Sequence, residues 1–116
     1  MHNIKDLKIW NKSIDLAVRI YQITSDYPID ERYGLISQSR RSAVSIPSNI
    51  SEGAGRNTKG EFKQFLGVAN GSSYELQTQL VIAEKLGFVN EQIAGELLDN
   101  IDELQKMNYK LQGALK

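Results

Sequence analysis

GEFKQFLGVANGSSYELQTQLVIAEKLG, residues 60–87, decides the architecture. Within it Phe62, Leu66, Ala69, Ser73, Leu76, Leu80, Ala83 and Gly87 step by alternating fours and threes. That spacing lays one apolar and small-residue seam along an α-helix. Such seams pack at a shallow angle in helix bundles. A helix over residues 60–86 would be about 40 Å long, so its partners must also be long. Gly67 and Gly71, four apart, are expected to let another helix approach closely. Upstream, Thr58 and Glu61 have the spacing of a capping box. Downstream, Leu86-Gly87-Phe88 ends the run.

Working back along the chain, 53–60 (GAGRNTKG) reads as a linker, with glycines available for a left-handed helix end. Before it stands RRSAVSIPSNISEGAGR, residues 40–56. Ser39, Ala43, Ile46, Ile50 and Gly53 form a small-residue core face of a helix over residues 34–53. Arg41, Ser45, Ser48 and Glu52 form a polar seam at the same spacing. Pro47 falls inside this helix. It removes one amide and conflicts with the carbonyl of Ala43, so it predicts a bend, or a break into two shorter pieces. The first helix, 7–24, is apolar on two sides. Trp10, Ile14, Ala17 and Tyr21 make one stripe, flanked by Leu7 and Val18, and Ile9, Leu16, Ile20 and Ile23 make another. Two apolar sides call for two partners, one of them outside the chain. The fourth helix, 90–115, is capped by Asn90 and turns Ile93, Leu97, Ile101, Leu104, Asn108, Leu111 and Leu115 inward. Acidic residues fill its early turns and Lys106, Lys110 and Lys116 its end, which suits the helix dipole. The reading is an all-α, up-down-up-down antiparallel four-helix bundle, one domain over 1–116.

Composition narrows the function. There is no cysteine and no long apolar run, and the first twelve residues are not a signal peptide. A cytoplasmic protein with no membrane partner is expected. Net charge is zero, which weakens binding driven by phosphate neutralisation. The charge is nonetheless uneven, net +3 over residues 1–63 and net −3 over 64–116. The sole histidine, His2, stands at the chain end, so neither a histidine-based catalytic group nor a histidine metal site is available. No catalytic residue, metal site or cofactor is assigned, and the chain reads as non-enzymatic.

Two sets of polar residues remain. Arg40, Arg41, Glu52, Glu75 and Gln79 are expected to form a structural network, with the arginines holding the carboxylates ionised. Arg56, Lys59 and Lys63 are candidate nucleic-acid contacts, with Lys5, Lys8, Lys12 and Arg19 adding a basic side to the first helix.

Specific text then narrows the family. Asp6-Leu7 with Trp10, Asp15-Leu16-Ala17, Tyr33-Gly34-Leu35 and Gln38 lead into RRSAVSIPSNI at residues 40–50 and Glu52-Gly53. Phe62, Phe65-Leu66, Ala69, Gly71-Ser72, Glu75-Leu76, Thr78-Gln79-Leu80, Ala83 and Leu86-Gly87 follow. Over nearly its whole length the chain resembles the four-helix proteins encoded in intervening sequences of bacterial 23S ribosomal RNA genes. The resemblance implies a homopentameric ring and carries no enzymatic activity with it. Relatives include the accessory protein of diversity-generating retroelements, a basic pentameric barrel that binds reverse transcriptase and nucleic acid. This chain departs from that pattern by its neutrality and by Asn70 where a basic residue would strengthen a nucleic-acid face. Its expected role is a self-associating, oligomeric interaction scaffold. RNA or DNA binding through the basic loop and the first helix is the alternative.

Overall fold

The computed structural model describes residues 3–115, so the expectations attached to His2 and Lys116 lie outside it. Four helices make the architecture: α1 (Lys8–Thr24), α2 (Ser37–Ala54), α3 (Lys59–Lys85) and α4 (Glu91–Ala114). No strand occurs among the described residues. The molecule measures 43 × 24 × 20 Å. Its long axis matches the roughly 40 Å of a helix the length of α3.

Side-chain pairs fix the direction of each helix. Ser42 meets Glu75 and Ser45 meets Ser72, whereas Gly53, further along α2, lies against Phe62 and Phe65. Helices α2 and α3 are therefore antiparallel. Gln105 of α4 reaches Ser73 and Gln77, while Asn108 reaches back to Leu66. Lys12 and Arg19 of α1 face Glu103 and Glu96 of α4 in the same reversed order. Sequence neighbours are spatial neighbours, and α4 closes onto α1. The result is an up-down-up-down four-helix bundle.

The α3 seam is buried from Phe62 to Ala83. It meets Ala43, Ile46 and Ile50 from α2 and Leu97, Ile101 and Leu104 from α4. Each large side chain buried there contributes roughly 1.5–3 kcal/mol. On α1 the core side is Ile9, Leu16 and Ile20 with Ser13, Ala17 and Thr24. The other stripe is left partly or fully outside: Trp10 and Ile14 are half-buried, Val18 and Tyr21 exposed.

Helix α2 opens at Ser37, three residues after its expected start. Gly34 has non-helical angles, φ −110° and ψ −116°, within the irregular turn Arg32–Ile36. The Glu31 carboxylate accepts the Leu35 amide at 3.1 Å there. Pro47 is buried inside one continuous α2 and does not divide it. Near it the Asn49 side-chain amide donates to the Ser45 carbonyl at 2.8 Å, adding a hydrogen bond beside the position where the proline supplies none.

The glycines do not act as the linker reading expects. Gly53 is not a left-handed cap. A Cβ there would stand 2.7 Å from the Phe65 Cβ and 3.2 Å from the Phe62 carbonyl oxygen, so its bare backbone is what lets α2 and α3 touch. Gly55 keeps φ at −84°. The left-handed glycine is Gly87, φ +80°. Its amide donates to Glu84 and that of Phe88 to Ala83, which closes α3 with a Schellman motif. Gly67 and Gly71, expected at a helix contact, face open space. The start of α3 follows its expected chemistry more closely. Thr58 Oγ1 accepts the Glu61 amide at 3.1 Å and donates to the Glu61 carboxylate at 2.9 Å. Asn90 caps α4 by accepting the Ile93 amide at 2.8 Å.

Candidate functional site

The polar residues singled out in the sequence sort onto different parts of the surface. Arg40 is taken up by the end of α1. Its Nε donates to Thr24 Oγ1 at 2.9 Å and its Nη2 to the Tyr21 carbonyl at 3.2 Å, and its guanidinium lies 4.6 Å from the Tyr21 ring centre. It therefore fastens the start of α2 to the end of α1, and it is not a partner of either carboxylate. Glu52 lies about three turns further along α2, in a groove of about 530 Å³ shared with Trp10, Ile14, Pro47, Ser48 and Ser51.

Three of the five expected network residues do converge. Arg41, Glu75 and Gln79 line one cleft of about 280 Å³ between α2 and α3, together with Gln38 and Ser42. Position follows from helical spacing: 38, 41 and 42 share one side of α2, and 75 and 79 one side of α3. The contact that joins the helices here is not the expected arginine–carboxylate pair. Ser42, 2 % exposed, donates to Glu75 Oε1 at 2.8 Å. Among the described residues no ion pair joins either arginine to Glu52 or Glu75. Gln79 is buried, and its Oε1 has no hydrogen-bond partner.

The basic residues are dispersed. Arg56 lies in the α2–α3 turn with its guanidinium 4.8 Å from the Phe65 ring centre. Lys59 opens α3, and Lys63 is exposed one turn later. On the first helix, Lys12 pairs with Glu103 at 2.6 Å and Arg19 with Glu96 at 3.8 Å. These two charges are spent within the chain, which reduces the basic side expected of that helix. Lys5 and Lys8 are exposed before and at its start.

The sequence reading missed Ser42 and Ser72. Ser42 lies next to the seam residue Ala43, and Ser72 next to Ser73. Both sit at the boundary between core face and outer face, where a serine's inward or outward hydroxyl is decided by the opposite helix. A usable signal is their pairing across antiparallel helices, Ser42 opposite Glu75 and Ser45 opposite Ser72, the latter pair 2.8 Å apart. At the end of the bundle formed by the α1–α2 and α3–α4 connections, the Tyr27 ring packs 5.7 Å from that of Phe88, and burial pushes the Tyr27 phenol above its ordinary pKa.

Among the described residues no group of His, Cys, Asp and Glu is arranged to hold a metal ion, and no helix is long and apolar enough to cross a membrane. No curated protein matches the sequence. A solved structure with the same fold is that of a protein of unknown function from the S23 ribosomal protein family of Bacteroides thetaiotaomicron. It is 21 % identical, with a TM-score of 0.82 over 90 % of this chain and 97 % of the other. The profile of the 23S rRNA-intervening sequence protein family matches residues 5–110, which take in α1 to α3, most of α4 and the cleft residues, and the chain belongs to that family.

Proposed function

We propose that this bundle is a non-enzymatic interaction scaffold that works as a cytoplasmic homo-oligomer, a pentameric ring. The observation that carries the reading is the outer side of α3. Between Lys63 and Glu84 its only charged side chain is Glu75. Its exposed positions there include Gly67, Val68, Gly71, Tyr74, Thr78 and Ile82, and Val68, Tyr74 and Ile82 are 50 %, 54 % and 44 % exposed. Solvent-facing helix sides ordinarily carry charge, and contiguous apolar exposure marks a contact surface. A second such surface lies elsewhere on the same chain: Trp10 and Ile14 in the α1–α2 groove, with Val18 beyond them. One stripe is large and the other rich in glycine, so knobs on one copy meet a flat surface on the next. Two different surfaces make a head-to-tail contact, and such contacts form a ring when the rotation between copies closes. The count of five rests on the family resemblance.

The reading is tested by light scattering on the purified chain. The expected mass is about five times 13.0 kDa, and Tyr74→Glu should dissociate the ring into folded protomers, judged by unchanged helical circular dichroism. A monomeric wild type at micromolar concentration overturns it. Nucleic-acid binding through Arg56, Lys59 and Lys63 takes second place, because Arg56 is already stacked on Phe65 and the α1 charges are partly paired.

A further inference from the structure

The cleft between the first half of α2 and the second half of α3 combines three features that the scaffold reading does not use. Gln79 is 8 % exposed, and its Oε1 accepts no hydrogen bond. Glu75 engages Ser42 through one carboxylate oxygen, and a carboxylate offers further acceptor positions. Arg41 lines the same cleft without an ion pair to Glu75 or to any other described carboxylate. Opposite charges thus face one small space without meeting, beside a buried acceptor that lacks a donor.

We propose that this cleft binds a small zwitterion, a free α-amino acid. Its carboxylate is held by the Arg41 guanidinium, whose planar fork matches two carboxylate oxygens. Its ammonium, three donors and no acceptor, lies toward Glu75 and donates to Gln79 Oε1 once that amide, closed off in the empty cleft, turns outward. Gln38, across from Gln79 on α2, contributes an amide at the same end. Other ligand classes fit worse. A simple carboxylate would bring a second negative charge beside Glu75. A simple amine would bring a positive charge beside Arg41. An apolar molecule would leave the Gln79 carbonyl as it is and strip water from both charges. At about 280 Å³ the cleft favours amino acids with short side chains.

Isothermal titration of the intact protein with L-alanine tests this, with propionate and ethylamine as probes carrying one charge each. The expected result is saturable binding of one alanine per chain, and each single-charge probe at least about tenfold weaker. Glu75→Gln keeps an acceptor for Ser42 but removes the charge, and Arg41→Gln removes the guanidinium. Each should weaken alanine at least about tenfold in a protein that remains folded by circular dichroism. Gln79→Leu, close in shape and without the orphan carbonyl, should weaken alanine while leaving the fold at least as resistant to urea. The proposal is overturned by no saturable heat at about 10 mM alanine, by equal binding of the single-charge probes, or by variants that bind as the wild type does. It also fails if Arg41→Gln alters the oligomeric mass while alanine does not bind. The cleft is then a contact between copies, a result that leaves the scaffold reading standing.

Discussion

Where α2 meets α3, the helices touch through a glycine and a ladder of hydroxyls: Gly53 against Phe62 and Phe65, Ser45 against Ser72, and Ser42 against Glu75. Where α1 meets α4, the outer contact is made by long charged side chains, Lys12 to Glu103 and Arg19 to Glu96, each side chain 43–55 % exposed. The first seam depends on shape, because small residues leave no slack for a change in volume. The second depends on charges that water and salt already surround. One bundle therefore has a seam that should tolerate little and a seam that should tolerate almost anything.

The largest expected effect tests the first half of that contrast. Gly53→Ala gains up to about 1 kcal/mol of helix propensity, yet places a methyl 2.7 Å from the Phe65 Cβ and 3.2 Å from backbone oxygen. Overpacking of this kind costs about 1–3 kcal/mol, so the net change should be destabilising. Gly95→Ala on α4, where a Cβ meets open space, should instead be neutral or stabilising. Urea denaturation of both variants measures the difference. A stabilised Gly53→Ala would show that the α2–α3 approach is looser than its contacts imply. Ser42→Ala comes next, at about 1 kcal/mol, because it removes a hydrogen bond to a carboxylate that can turn to water instead.

Tyr27 and Phe88 belong to neither seam. They close the end of the bundle where the α1–α2 and α3–α4 connections meet. The Tyr27 phenol is raised by desolvation, so the folded chain holds that proton more tightly than the unfolded chain does. The contribution is constant below about pH 10, where both states are protonated. It declines as pH rises from there toward the raised folded value, because only the unfolded state gains by ionising. Tyr27→Phe should flatten this alkaline decline in thermal denaturation. An unchanged slope would assign the decline to other groups.

How much of this was legible in the sequence depended on which forces set each feature. The α3 seam and the α2 face of Ser39, Ala43, Ile46, Ile50 and Gly53 were readable because helical periodicity is local and burial follows it. The caps at Thr58 and Asn90 were readable for the same reason. Gly53 reads both as the last residue of the α2 face and as a candidate helix end, and only the first holds, since a glycine needed for backbone angle and one needed for closeness look alike in one dimension. Gly87, which does adopt the left-handed conformation, was identified only as part of the stop. Arg40 was misassigned because a long side chain near a helix start has several helices within reach, and its actual partners, Thr24 and Tyr21, belong to the end of α1. The one-turn spacing of Glu75 and Gln79 is legible, whereas Arg41 lining the same cleft depends on the α2–α3 register, which no residue type marks. Ser42 as the residue that meets Glu75 was not legible either, since a serine beside a core position carries no mark of which way its hydroxyl turns.

The smallest expected effect tests the second half of the contrast. Lys12 and Glu103 approach to 2.6 Å, a geometry that looks strong, but both side chains are about half exposed. Distance alone does not decide the energy. Ordering two long side chains costs entropy, and solvent screens the attraction, so exposed pairs contribute about 0.2–1 kcal/mol. A double-mutant cycle with Lys12→Met and Glu103→Gln should return a coupling in that range, and it should shrink in 1 M salt, where the screening length falls to about 3 Å. Ser42→Ala, measured under the same two conditions, should change far less with salt, because its contact is short-range and partly shielded by the α2–α3 seam. If the two effects respond to salt alike, the division between a shape-dependent seam and a charge-dependent seam fails, and the Ser42–Glu75 hydrogen bond is as solvated as the surface pairs.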